Sequence, residues 1–212
     1  MATFVVAHGA WSAGWAWKKM RPVLGARGHQ IFTPTYTGVG ERIHLAHRGV
    51  TLDTHIQDVV NVLEFEDLRD VVLIGHSYGG MVGTGVADRA PARVRHLVYL
   101  DAFAPRDGQS LFDLQPALAR ERVIALAREH GDGWRVPSNP MPPDTPAADL
   151  EWAMPRRVMQ PIGTFEQPIR LSGAVDRLPR TYIYARRAGP GDVFRQFADR
   201  ARAEGWGYHE LD

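Results

Sequence analysis

Ser77 sits at the centre of Gly75-His76-Ser77-Tyr78-Gly79, directly after the apolar run Val71-Val72-Leu73-Ile74 and before Gly80 and a small-residue helical pattern from Met81 to Asp88. A serine in G-x-S-x-G between a strand and a helix is the pattern of a nucleophile elbow. The sharp turn lifts Ser77 Oγ clear of the strand end, and the flanking residues are glycine because a Cβ there would meet neighbouring backbone. The same turn leaves Tyr78 N–H at the N-terminus of the following helix, where backbone donors can hold a developing anion. His8-Gly9-Ala10-Trp11 follows the first apolar run and supplies the second donor, so Ala10 N–H and Tyr78 N–H are expected to converge on one carbonyl oxygen. Trp11 and His76 are expected to bind substrate, with His76, at the x position of the elbow, packed beneath the nucleophile.

Such a serine needs a base, and a carboxylate to orient that base. Asp101 ends the strand pattern after the nucleophile helix, and a carboxylate at a strand's C-terminal end faces the site in a parallel sheet. The structural alternative for Asp101 is a turn residue. Asp192 is the second candidate for the acid.

These residues need a frame, and the sequence alternates short β-rich runs with helix-length amphipathic stretches, the pattern of a doubly wound, mainly parallel α/β sheet. Strands are expected at Thr3 to Ala7, Gln30 to Pro34, Val71 to Ile74, His96 to Asp101, Thr181 to Ala185 and Gly207 to Leu211. Helices are expected at Trp15 to Ala26, Thr51 to Leu68, Gly80 to Arg89 and Gly191 to Ala203. Phe103 to Pro179 breaks the rhythm, is far longer than an ordinary crossover, and holds the proline-rich run Pro137 to Pro143. We read residues 103–179 as an inserted cap on a core made of residues 1–102 and 180–212. Phe112, Leu114, Trp134, Trp152, Met154, Met159 and Phe165 either roof a pocket at the sheet's C-terminal edge or form the cap's own core.

The 212 residues suit a single domain with an insertion. A net charge of +1, with Arg, Asp and Glu interspersed, offers no basic run for nucleic acid or a membrane surface. The absence of cysteine excludes disulfides, thiol nucleophiles and thiolate metal sites. The sequence enters Thr3 to Ala7 without a signal-like segment, so the cytoplasm is the expected compartment. His44, His47 and His55 have no carboxylate placed with them and are not expected to bind metal. Gly38-Val39-Gly40 is too short for a dinucleotide fingerprint. No cofactor is expected, and oligomeric state is open.

On His8-Gly9-Ala10-Trp11 with Gly14-Trp15, Gly28-His29, Gly75 to Gly80 and Leu100-Asp101-Ala102-Phe103-Ala104-Pro105, the chain resembles the α/β-hydrolase superfamily. Within it, the chain is similar to the small plant and bacterial group that includes methyl salicylate esterases and hydroxynitrile lyases. The resemblance implies hydrolysis of a small carboxylic ester, lactone or amide through an acyl-Ser77 intermediate. It places the acid just after the strand Thr181 to Ala185, where this chain has Arg186-Arg187-Ala188 and no carboxylate before Asp192. Some members supply the acid from the position of Asp101, which we therefore prefer. It places the histidine on a loop after the last strand. His209 lies within that strand pattern and is expected to be structural, so the base is expected beyond Asp212, or the chain is a natural remnant without a working relay. The lyases usually carry threonine at the position of Ala10 and a lysine beside the histidine; Ala10 favours the esterase, with C–C lyase chemistry or non-catalytic binding of a small ligand as alternatives.

Overall fold

A computed structural model describes residues 1–186 and 192–212. Among the described residues, eight strands and seven α-helices follow in chain order. The strands are β1 (Thr3–Ala7), β2 (Gln30–Phe32), β3 (Val71–Ser77), β4 (Val94–Ala102), β5 (Arg135–Val136), β6 (Gln160–Pro161), β7 (Arg180–Ala185) and β8 (Gly207–Leu211). The helices are α1 (Met20–Gly25), α2 (Leu52–Phe65), α3 (Gly79–Arg89), α4 (Ala117–His130), α5 (Ala147–Ala153), α6 (Gly163–Glu166) and α7 (Arg195–Ala203). Six strands form one sheet in the order β2-β1-β3-β4-β7-β8, every neighbouring pair parallel. This is the expected doubly wound arrangement.

The apolar runs become strands because alternate residues must be covered on opposite faces. Leu73, Leu97, Tyr99, Tyr182 and Tyr184 are buried, whereas Val72, Ile74, Val98, Leu100 and Ile183 between them are half-buried. Helix α2 lays Leu52, Ile56, Val59, Val60 and Leu63 along one buried stripe at helical spacing. Burying each such side chain contributes roughly 1.5–3 kcal/mol. Helix α3, which carries the elbow, is buried from Gly79 to Asp88.

The expected helix from Trp15 to Ala26 divides into a 3-10 turn, Gly14–Trp17, and α1. Pro22 is the reason: it has no N–H for Lys18 C=O, and its ring would strike that carbonyl in a continuous helix. Helix α7 begins at Arg195, later than expected, because Asp192 Oδ1 accepts the N–H groups of Phe194 at 2.9 Å and Arg195 at 3.3 Å and caps the turn. Gly191, where that helix was expected to begin, lies outside the described residues, as do Arg187 and Ala188.

Residues 103–179 contribute no strand to the main sheet. They hold α4, α5, α6 and the short antiparallel ladder of β5 with β6. Phe112, Leu114 and Phe165 are buried, Trp134, Trp152 and Met159 are half-buried, and Met154 is exposed. No helix among the described residues is long and apolar enough to cross a membrane.

Candidate active site

Ser77 is the last residue of β3 and has φ of +53°, in the left-handed region that costs a non-glycine residue roughly 1–2 kcal/mol. The turn holds because its neighbours can approach closely. A Cβ on Gly79 would lie 1.9 Å from Ala7 O, and one on Gly80 would lie 1.9 Å from Phe103 O. Both approaches require glycine, so the elbow is wedged between the ends of β1 and β4.

The turn after β1 lies beside the serine: a Cβ placed on Gly9 would be 3.4 Å from Ser77 Cβ. Among the described residues, Ala10 N–H and Tyr78 N–H donate to no protein acceptor, and Ser77 Oγ has no hydrogen-bond partner. Unpartnered donors on either side of the serine in space are what an oxyanion site requires, and the turns that carry Ala10 and Tyr78 both adjoin Ser77.

This turn is held from below and from above. Below, His8 stacks on Tyr36 with ring centroids 3.7 Å apart, its Nδ1 lies 2.9 Å from Gly9 O, and its Nε2 accepts Tyr36 N–H at 3.4 Å. A carbonyl can only accept, so Nδ1 carries the proton and the ring is neutral. Burial pushes His8 down to about 4. His55 on α2 is equally enclosed: Nε2 donates to Thr37 O at 3.0 Å, and Nδ1 accepts Tyr78 O–H at 3.0 Å. Burial pushes His55 down to about 3. His55 therefore fixes the side chain of the residue after the serine. His44 and His47 lie exposed on the preceding loop.

From above, Trp11, with φ of +55°, donates its N–H to Gln160 Oε1 at 3.2 Å and its indole N–H to Val136 O at 2.9 Å. Gln160 is buried, and its amide nitrogen donates to Thr164 Oγ1 at 3.0 Å. The β5–β6 ladder thus grips the β1 turn. Sequence reasoning missed Gln160, because nothing local marks a glutamine whose partner is 149 residues away.

Asp101 is one strand over from Ser77. The β3–β4 register pairs His76 with Leu100 and Ser77 with Ala102, so Asp101 is the extra residue of a bulge, with φ of +43°. Its Oδ1 accepts Ala185 N–H at 3.3 Å. Burial pushes its carboxyl up to about 6, with the Asp192 charge adding and the Ala185 N–H opposing. Asp192 is committed elsewhere, accepting Tyr184 O–H as well as the N–H groups that begin α7. Of the two carboxylates, Asp101 keeps the more hydrogen-bonding capacity.

His76 departs from expectation. It is exposed rather than packed beneath the nucleophile and lines the same cleft as Ser77, edge-on to Trp17 at 6.3 Å, because its ring stands beside the β1 turn, with Nδ1 3.1 Å from where a Cβ on Gly9 would lie. His209 lies in β8 opposite Ile183 and is exposed. Among the described residues no histidine hydrogen-bonds to Ser77 or Asp101.

A cavity of about 500 Å³ opens over Ser77, lined by Ala10, Trp11 and Trp15 from the core, Trp152 and Arg157 from the 103–179 segment, and Phe194. A cavity of about 510 Å³ elsewhere is bounded by Tyr99, Arg106, Arg180 and Arg200, and its Arg106 and Arg180 are paired with Glu204 and Asp176.

Comparison with known proteins agrees with this geometry. The model of the alpha/beta hydrolase family matches residues 4–212. The carbendazim hydrolyzing esterase of Nocardioides sp. (strain SG-4G) is 44% identical over 209 residues, covering 93% of this chain and 85% of the esterase. Salicylic acid-binding protein 2 of Nicotiana tabacum is 33% identical over 104 residues, 48% of this chain and only 40% of the tobacco protein. An extracellular alpha/beta-hydrolase from a Paenibacillus species, described as sharing structural and functional homology with that tobacco protein, superposes with a TM-score of 0.87 at 25% identity over 100% of this chain and 90% of its own. With the elbow, the parallel sheet and the family match in agreement, the chain belongs to the alpha/beta hydrolase family and is an enzyme of the esterase kind.

Proposed function

We propose that the chain hydrolyses a small carboxylic ester through an acyl-Ser77 intermediate. Ser77 Oγ attacks the carbonyl carbon, Ala10 and Tyr78 N–H groups hold the oxygen as it becomes an anion, and the alcohol leaves with a proton. Water then attacks the acyl-enzyme and restores Ser77. Asp101 orients the general base that takes the Ser77 proton and passes it to the leaving alcohol, and residues 103–179 act as a cap over the reacting groups. The observation that carries this reading is the strained elbow at Ser77 with the β1 turn against it, where among the described residues Ala10 N–H, Tyr78 N–H and Ser77 Oγ are unpartnered. Likeness to an esterase along most of the chain supports the reaction class. Ser77→Ala is expected to abolish hydrolysis of p-nitrophenyl acetate; hydrolysis at the parent rate sinks the reading.

Hydroxynitrile lyase chemistry fits less well, since Ala10 offers no hydroxyl and Lys19 is ion-paired with Asp149. A second reading, a non-catalytic binder of a small ligand, draws support from one observation: no described histidine reaches Ser77. Intact mass after treatment with a fluorophosphonate separates the two, because an unactivated serine reacts poorly.

A further inference from the structure

The cleft over Ser77 holds a cation that no acidic group among the described residues answers. Lys19 and Asp149 in its wall are ion-paired with each other. Arg157 is different. Its Nη2 donates to Asn139 O at 3.0 Å and to Asn139 Oδ1, and its Nη1 meets Met141 Sδ at 2.9 Å. Every one of these partners is neutral. Its Nε is buried and has no acceptor among the described residues, as is also true of Trp15 Nε1 in the same wall.

Arg42 shows what the fold does elsewhere with a half-exposed guanidinium: Asp58 Oδ1 lies 3.1 Å from its Nη1. At Arg157, burial pushes the guanidinium below the ordinary arginine value and no acidic neighbour offsets this. The group remains charged at neutral pH, so its field is directed into a cavity walled by Trp11, Trp15, Trp152 and Phe194. A guanidinium presents a planar fork of N–H donors that fits a carboxylate, and flat indole walls fit an aromatic ring.

We infer that Arg157 determines specificity by binding a carboxylate on the substrate remote from the scissile ester, so that the preferred substrates are monoesters of aromatic dicarboxylic acids. This rests on the hydrolase reading of the same cleft. The guanidinium exchanges its contacts with Asn139 and Met141 for the carboxylate, and the substrate ring lies against Trp152.

The test compares two substrates of nearly equal shape, the monomethyl ester of terephthalic acid and methyl 4-carbamoylbenzoate. The parent chain is expected to favour the acid ester in kcat/KM by at least 10-fold, carried mainly by KM. In Arg157→Gln that ratio is expected to fall to about 1, with partial recovery in Arg157→Lys. Equal rates for the two esters in the parent overturn the inference and leave the hydrolase reading intact. Calorimetric titration with benzoate and benzamide covers the opposite case. If neither ester is cleaved, tighter binding of benzoate that Arg157→Gln removes upholds the role of Arg157 while the hydrolase reading falls. Equal binding of the two overturns the inference in that case too.

Discussion

Gln160 accepts the backbone N–H of Trp11 at 3.2 Å, and so a side chain from the 103–179 segment holds the β1 turn that lies against Ser77 and carries the proposed donor Ala10 N–H. Gln160→Leu removes that acceptor and leaves a donor in the turn unpartnered. We expect a loss of about 1–2 kcal/mol in stability and a fall of roughly ten-fold in kcat with a smaller change in KM. Steady-state kinetics and urea unfolding of the variant check both; an unchanged kcat separates Gln160 from the donors.

Ser77 stores backbone strain that glycine does not feel. Ser77→Gly and Ser77→Ala both delete the hydroxyl, but only glycine relaxes φ of +53°. Ser77→Gly is expected to be the more stable by about 1 kcal/mol, the strain relieved less glycine's entropic cost. Thermal melts of the pair measure the difference, and equal stability contradicts a strained elbow.

Asp101 sets stability against activity. Its folded value, raised to about 6, lies above its ordinary value of 3.8, so the fold favours the neutral acid. The stability this contributes is full below about pH 4 and is lost as pH rises through about 6. Asp101→Asn is therefore expected to stabilise the chain at pH 8, by on the order of 2 kcal/mol, with little difference near pH 4. If ionised Asp101 orients the base, the same variant loses most hydrolysis, and the parent's activity falls below about pH 6. Greater parent stability at pH 8 contradicts the burial cost.

His8 and His55 act in the opposite sense. Their folded values, about 4 and about 3, lie below the ordinary 6.5, so the stability they contribute is present above pH 6.5 and is lost as pH falls towards those values. Near pH 5 both are neutral in the fold and protonated when unfolded, a joint contribution of about 2.7 kcal/mol per pH unit that Asp101, protonated in the fold and ionised when unfolded, offsets by about 1.4. Urea unfolding at pH 7, 6 and 5 measures it. His55→Gln is expected to reduce the slope between pH 6 and 5 by about 1.4 kcal/mol per pH unit, and an unchanged slope argues against a neutral buried ring at His55.

The parts of the site that could be read from sequence are those written in short, contiguous patterns. Ser77, Tyr78 and Ala10 are fixed by turns that immediately follow strands, and Asp101 by the end of the next strand. Gln160, Val136 and Arg157 could not be read, because their roles depend on a two-residue ladder and on a partner 149 residues away for Gln160. Arg157 looks in sequence like any of the chain's surface arginines; only its neutral surroundings distinguish it. The break at Pro22 was legible as a proline and still lost to the helical spacing around it. His76 reads in sequence as packed beneath the nucleophile, yet it stands beside the β1 turn and lines the cleft with Ser77, a placement set by a turn 67 residues earlier.

Trp11 is anchored twice in the 103–179 segment, through its backbone N–H and its indole. A segment fastened in this way cannot swing wide without pulling the β1 turn out of register, so admitting a substrate and disarming the enzyme would be one event. Substrate must instead enter the cleft with the segment in place, past a wall where Lys19 and Asp149 are already tied to each other.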